Sequence, residues 1–380
     1  MKNVKIYPIN SVPEIYFLGR NVDNADRLKS RTLFWNGSGF EVHFSGQELW
    51  ALFESGYDTL EPWIAVYLNG RLKSREMIPH GKHWVCLARG IDDTFERDIR
   101  VIKDSQPMKD DQKHFLKIHK LALTKGGKFS SFSEHKMKIE FVGDSITTGS
   151  GLAGAVQDSD WIASQMSFCK TYAYRTVERL DADYRVMSQN GYGIVSAWNN
   201  NPYWVMPRFY EDVCSIVEGP LYKKLGGTQK YDFSKWQPDF VVINLGTNDD
   251  VAFNETEWKD PVSGKLFKFN YDKNGNAFEE DGKKIFIGVQ NFIKLVRSKN
   301  PDAKIIWAIG MMNLKYVKPY ILEGVKAYKE NSKDDKVYSL LFESMDCETE
   351  EEDKGSNEHP GIKTHTLASD KLYDFILNCK

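Results

Sequence analysis

Lys138-Ile-Glu-Phe-Val-Gly-Asp-Ser-Ile-Thr-Thr-Gly149 is a short apolar run that ends in Gly143-Asp144-Ser145, after which small and polar residues take over. It reads as a strand that stops where the serine begins. A serine at the carboxyl end of a strand can point its hydroxyl into the crevice above a parallel sheet, where α/β folds bind ligands. Gly-Asp-Ser is also ordinary turn chemistry, so its meaning depends on the rest of the chain.

Downstream, strands alternate with helices from residue 136 onward, the grammar of a parallel sheet covered on both faces. Strands are expected at 138–142, 184–188, 240–245, 304–309 and 337–342, and helices at 171–180, 285–298, 317–329 and 366–377. Ala173, Val177 and Leu180 share one stripe of the first helix, and Ile285, Val289, Phe292 and Val296 one stripe of the second. Three insertions, 150–170, 199–236 and 249–284, have the length of lids or substrate walls. Within the last, Asp272-Lys-Asn-Gly-Asn276 begins like a calcium loop, but Ala277 stands at its sixth position and Lys283 at its twelfth, where a bidentate Glu is required. A β-hairpin tip between 267–271 and 277–278 is the better reading.

Upstream, residues 1 to 125 read as all-β. Residues 32–35, Asn36-Gly-Ser-Gly39 and 40–44 read as strand, turn and strand, with Phe40, Val42 and Phe44 on one face of the second strand. A run at 63–68 enters Asn69-Gly70, a type I′ signal, and short segments follow at 84–88, 97–103 and 115–123. Many short strands with regular turns predict a sandwich or jelly roll, either a carbohydrate-binding module or a packing partner. The Gly- and Ser-containing stretch 125–133 marks the boundary, so the expected organisation is a β-domain at 1–125, a linker at 126–135 and an α/β domain at 136–380.

Composition narrows the classes. The chain has 380 residues, 41% hydrophobic and 13% aromatic, enough for two packed domains. Its 51 basic and 53 acidic side chains nearly cancel, which argues against nucleic acid or an anionic membrane as the main partner. Five cysteines, never in a CxxC spacing, predict neither a disulfide framework nor a zinc site. The amino terminus lacks an apolar segment of the signal-peptide kind, and no apolar run approaches the roughly 18–20 residues that span a bilayer. A cytoplasmic protein is the expectation.

An activated serine needs a base within hydrogen-bond reach and donors aimed at the developing oxyanion. Of eight histidines, only His359 and His365 follow Ser145. His359 lies in Gly355-Ser-Asn-Glu-His-Pro-Gly361, after the last strand, on the same sheet edge as Ser145, whereas His365 reads as structural. Two further strand ends carry suitable chemistry: Gln189-Asn-Gly191, where a backbone N–H can approach a ligand, and Gly246-Thr-Asn248-Asp249, where a side-chain amide can donate. Each alone has a plain alternative as a turn or a helix cap.

Together these blocks resemble the SGNH (GDSL-like) hydrolases, whose signatures are Gly-Asp-Ser, Gly, Gly-x-Asn-Asp and a late His. Gly-Asp-Ser-Ile-Thr-x-Gly, Ala182-Asp183-Tyr184 and the terminal Gly-x-x-x-His-Pro are similar to carbohydrate esterase family two, as is a β-sandwich ahead of the hydrolase domain. The resemblance implies a flavodoxin-like three-layer α/β/α domain behind a jelly roll. It also implies removal of acetyl groups from manno- or xylo-oligosaccharides, with no metal or other cofactor. Ser145 would be the nucleophile and His359 the base, with an oxyanion hole made by the N–H groups of Ser145 and Gly191 and the side chain of Asn248. Asp144, Trp198, Trp204 and Asp249 are the candidate sugar contacts, with Trp161 and Tyr203 as further aromatic platforms. Trp35, Trp50 or Trp84 are the residues through which the β-domain would reach the cleft.

The sequence departs from the family at the third triad member. Ser356 and Asn357 stand three and two residues before His359, and neither supplies the usual carboxylate. A Ser-His dyad whose ring is oriented by a backbone carbonyl is therefore expected, with Glu358 an awkward partner and Asp353 the other nearby acid. Two other functions compete: a lysophospholipase or thioesterase on the same fold, and a carbohydrate-binding relic without turnover. Insertions rich in Asn, Asp, Lys and Trp oppose the first. Joint retention of Ser145, Gly191, Asn248 and His359 opposes the second.

Overall fold

The computed structural model describes residues 3–22, 29–132, 135–345 and 353–379. In the amino-terminal part, alternation of buried and exposed side chains builds two antiparallel sheets. In Glu48–Gly56, for example, Leu49, Ala51 and Phe53 point inward and are wholly buried. One sheet runs in the order Val4–Pro8, Phe115–Thr124, Glu48–Gly56 and Gly81–Arg89, with Arg31–Thr32 beside Phe115–Thr124. The other runs Lys128–Ser130, Gly39–Ser45, Arg97–Lys103, Trp63–Leu68 and Arg71–Met77, with Tyr16–Leu18 beside Gly39–Ser45. Phe40, Val42 and Phe44 from one sheet meet Leu49, Phe53 and Leu121 from the other in a shared core.

Two expectations need correction. The strand expected at 32–35 is only Arg31–Thr32, which pairs with Phe115–Thr124, whereas Gly39–Ser45 pairs with Arg97–Lys103, so the intervening residues carry the chain from one sheet to the other. The boundary also moves, because Lys128–Ser130 pairs with Gly39–Ser45 and belongs to the β-domain rather than to a linker. Gly126 and Gly127 supply a turn between adjacent strands that resembles a connection between domains. Residues 133 and 134 of the expected linker lie outside the described residues.

The carboxyl-terminal domain matches the alternating pattern closely. Its five strands are parallel, in the order Asp183–Ser188, Lys138–Gly143, Phe240–Asn244, Lys304–Ile309 and Val337–Leu341. Tyr172–Leu180 and Ile362–Asn378 pack with Phe141, Val242 and Ile306 on one face, and Glu279–Lys299 and Lys318–Ser332 with Val142, Ile243 and Trp307 on the other. Strand order reverses at Lys138–Gly143, which lies between the second and third strands of the domain. Such a switch point opens a crevice at the carboxyl ends of its strands, and Ser145 and Asn248 follow two of those ends.

The two domains share their cores. Phe34 and Trp35 join one face of the parallel sheet, and Leu18, Ala65, Tyr67 and Ile102 join the other. The Trp35 indole donates to the carbonyl of Val213 at 2.7 Å, so this tryptophan is buried structure, not a wall of the cleft. Wholly buried Arg20 crosses from the β-domain to pair at 2.9 Å with Glu140 on the strand Lys138–Gly143. Trp50 and Trp84 are half-buried on neighbouring strands of the first sheet.

Candidate active site

The strand that leads to Ser145 ends at Gly143, where Thr147 folds back onto it: a Cβ there would lie 2.0 Å from Thr147 Oγ1. Asp144 then caps the four-residue helix Ser145–Thr148, its carboxylate accepting the N–H of Ile146 at 3.0 Å. Ser145 opens that helix, with 7% of its surface exposed. Its carbonyl accepts the N–H groups of Gly149 and Ser150, both at 3.0 Å, which turns the chain sharply into the 150–170 insertion.

His359 is brought back to this turn by its own loop. The N–H of Ser356 donates to the carbonyl of Gly151 at 3.1 Å, and that of Asn357 to the carbonyl of Asp158 at 2.7 Å. Ser356 Oγ donates to Gln165 Oε1 at 3.0 Å. A Cβ on Gly151 would lie 3.2 Å from the Cβ of His359, so the histidine packs directly on the turn six residues beyond the serine. Asn357 and Glu358 both adopt left-handed φ values, 51° and 58°. That curl swings the carbonyl of Asn357 to 2.7 Å from His359 Nδ1. Asp353 faces elsewhere, 3.4 Å from Thr364 Oγ1 and 3.8 Å from Lys363 Nζ. Burial holds His359 below the ordinary histidine value of 6.5, while the Asn357 carbonyl and the Glu358 charge pull the other way. His365 is wholly buried, and its Nδ1 accepts the N–H of Tyr172 at 3.0 Å, a structural role.

The expected oxyanion donors lie on the neighbouring strand ends. Gly191 has φ 80°, and a Cβ there would lie 2.8 Å from Trp198 Cδ1. The Trp198 N–H closes the loop by donating to the carbonyl of Gly191 at 3.1 Å. Asn248, on the helix Thr247–Ala252, donates through Nδ2 to the carbonyl of Tyr192 at 2.9 Å and makes a longer contact, 3.4 Å, to Asp144 Oδ2.

Asp144 and Asp249, two of the candidate sugar contacts, have no exposed surface. Asp249 accepts the N–H groups of Ile194, Val195 and Ser196 at 2.7, 2.9 and 3.0 Å, tying the Gly191 loop to the Asn248 helix. Burial pushes Asp144 up to about 7 and Asp249 up to about 6, against the main-chain donors that favour their charged forms. Both hold loops in place through those main-chain N–H groups. Trp198 is 44% exposed beside Gly191. Trp204 is half-buried, stacked on Tyr192 at 6.2 Å with Lys109 Nζ 3.6 Å above its ring, so it forms a wall more than an open platform. Trp161 and Tyr203 are 37% and 42% exposed on their insertions.

The sequence reading missed the β-domain's polar share. Asn36 Oδ1 accepts Ser188 Oγ at 3.0 Å, from a position that reads in sequence only as a turn, and Gln106 Oε1 accepts the N–H of Asn190 at 2.8 Å, from a position without motif or periodicity. Among the described residues, no group of three or more His, Cys, Asp or Glu side chains is placed to hold a metal ion, and no helix is long and apolar enough to cross a membrane.

Residues 141–337 match the GDSL-like lipase/acylhydrolase family. An acetyl xylan esterase (Est2A) from the rumen bacterium Butyrivibrio proteoclasticus is 35% identical, with a TM-score of 0.94 over 100% of this chain and 99% of that one. A family two carbohydrate esterase from Clostridium thermocellum, solved with cellohexaose, shares the fold at 24% identity and a TM-score of 0.77 over 96% of this chain and 98% of that one. Cellulase/esterase CelE of Acetivibrio thermocellus is 26% identical over 349 residues, 90% of this chain and 37% of that protein. The chain thus spans about two fifths of the length of the curated relatives it matches, 37% and 43% for two of them. With the motif blocks gathered on one sheet edge and more than half of the chain inside the matched region, the protein belongs to the GDSL-like lipase/acylhydrolase family.

Proposed function

We propose that this chain is a carbohydrate O-acetylesterase acting on acetylated oligosaccharides, xylo-oligosaccharides first, by a serine acyl-enzyme mechanism. The observation that carries the reading is the His359 ring, oriented through Nδ1 by a main-chain carbonyl and packed on the turn that follows Ser145. A carbonyl only accepts, so Nδ1 holds the proton and Nε2 carries the lone pair that a serine base needs. Likeness to an acetyl xylan esterase over the whole chain supports the substrate class.

Ser145 Oγ attacks the acetyl carbonyl as His359 Nε2 takes its proton. The oxyanion accepts from the main-chain N–H groups of Ser145 and Gly191 and from Asn248 Nδ2, whose N–H toward Asp144 is the weakly held one. Each such donor is typically worth about 2.7–4 kcal/mol of barrier. His359 then protonates the departing sugar oxygen, and a water activated by the same nitrogen hydrolyses the acetyl-enzyme. Exposed Trp198, seated against Gly191, is placed to stack on a sugar ring.

Acetate release from a panel of acetylated xylo-, manno- and cello-oligosaccharides, followed by mass spectrometry, tests this. Wild type should deacetylate at least one panel member, and Ser145→Ala and His359→Ala should not. Turnover of p-nitrophenyl acetate alone would keep the chemistry and discard the sugar. No turnover of any ester, with acetylated sugar still bound, would make the protein a binding relic.

A further inference from the structure

We propose that Gln106, a residue of the β-domain, is the positioning residue that sets the oxyanion loop at Asn190–Gly191; the inference rests on the esterase reading above. Gln106 follows the strand Arg97–Lys103 by three residues and is wholly buried. Its Oε1 accepts the N–H of Asn190 at 2.8 Å and lies 3.4 Å from Thr148 Oγ1, on the helix that Ser145 opens. One side-chain oxygen from another domain therefore touches both the nucleophile's helix and the peptide next to the expected oxyanion donor.

The contact meets a specific need. Gln189 donates its N–H to the carbonyl of Gly143 at 3.3 Å, and there the chain leaves the parallel sheet. Asn190 lies beyond the strand and is buried, and a buried N–H must find an acceptor. Gln106 supplies it, while the Asn190 side-chain amide donates to Ser150 Oγ, on the turn after Ser145. Asn190 is thus pinned from the β-domain through its main chain and from the nucleophile turn through its side chain. The direction of the next N–H, that of Gly191, follows from those two anchors. Oxyanion donors work only within about 0.5 Å of the productive position, so loss of one anchor should act on the chemical step.

The competing account is that Gln106 merely satisfies a buried donor, in which case its loss would lower stability without acting on turnover. Gln106→Met removes the acceptor at nearly constant volume, and Gln106→Glu retains an acceptor oxygen. With p-nitrophenyl acetate, Gln106→Met is expected to lower kcat about 30-fold with KM within about twofold, and Gln106→Glu to recover most of the loss. Hydrogen exchange at the Asn190 amide, which needs no turnover, should speed up in Gln106→Met and not in Gln106→Glu. Should Gln106→Met fail to fold, Gln106→Asn, which withdraws the oxygen, is expected to show the same split. Wild-type kcat in the acceptor-less variant, or equal losses in the Met and Glu variants in step with melting temperature, would overturn the proposal. A wild type inert toward every acetyl ester sinks the esterase reading instead, and the exchange comparison still decides whether Gln106 holds the loop.

Discussion

The main-chain carbonyl of Asn357 lies 2.7 Å from Nδ1 of His359, where many serine hydrolases place a carboxylate. The contact depends on backbone conformation and not on side-chain identity, because Asn357 reaches back only through its left-handed φ of 51°. Asn357→Gly, free to adopt that φ, should keep kcat within about threefold, whereas β-branched Asn357→Val should lower it by about tenfold or more. Asn357→Asp and Ser356→Asp should change kcat by less than about tenfold, and a rise of several hundredfold would instead mark the native site as a damaged triad. Steady-state kinetics on an acetyl ester distinguish these outcomes.

The acid limb of kcat/KM should fall at a pH below 6.5, the ordinary histidine value, because burial disfavours the charged ring of His359. In the proposed mechanism the neutral ring is the base, so activity should be lost as pH drops through its pKa. The Glu358 carboxylate raises that pKa. Glu358→Gln should therefore move the acid limb further down, and a pH–rate profile in which the limb moves up would refute the assignment.

Asn248→Ala removes a side-chain donor and should lower kcat by about 10²–10³-fold with the fold retained. Gly191→Ala should also lower kcat, for a different reason. Its Cβ would come within 2.8 Å of Trp198 Cδ1 at a φ of 80°, so both the indole and the loop must shift. Quenching of Trp198 fluorescence by iodide should change in Gly191→Ala and stay as in wild type in Asn248→Ala.

Asp249→Ala strands the three N–H groups of Ile194, Val195 and Ser196. A cost of about 3 kcal/mol or more in unfolding free energy is expected, read by urea denaturation, together with weakened sugar affinity as the Gly191 loop loosens. Loss of sugar binding with stability unchanged would show instead that Asp249 meets the ligand.

Arg20→Met leaves Glu140 as an unpaired charge between the domains and should cost about 3–5 kcal/mol. Tyr210 also donates to Glu140, at 2.6 Å, so part of the cost is moderated. The double variant Arg20→Met/Glu140→Met should be more stable than Arg20→Met alone, because the stranded charge is gone. If the double variant is the less stable of the two, the pair is a net contributor in its own right.

Much of the site was legible because its residues occupy strand ends. Parallel strands are buried on both faces, so their apolar runs are continuous and their ends abrupt, and Ser145, Gly191 and Asn248 each follow such an end within a few residues. The same reasoning placed His359 on the correct edge and His365 in the helix. It could not show that Asp144 and Asp249 are wholly buried on main-chain N–H groups, since a carboxylate beside such a motif looks the same in sequence whether it meets a ligand or a row of main-chain N–H groups. It left open which sheets Arg31–Thr32 and Gly39–Ser45 join, because local alternation reveals a strand and says nothing about its partners.

By itself, then, the sequence determined the order of elements in the α/β domain, the chemistry at its strand ends and the absence of an acid at the two usual positions before His359. Those are local properties, written in periodicity and spacing. Only the tertiary structure decided which main-chain carbonyl meets His359, since that depends on two consecutive left-handed residues held against the Gly151 turn. It alone decided that the β-domain enters the site, since Gln106 and Asn190 meet across 84 positions of sequence. A hydrogen bond between distant residues leaves no periodic trace in the chain, because neither partner's neighbours are constrained by it.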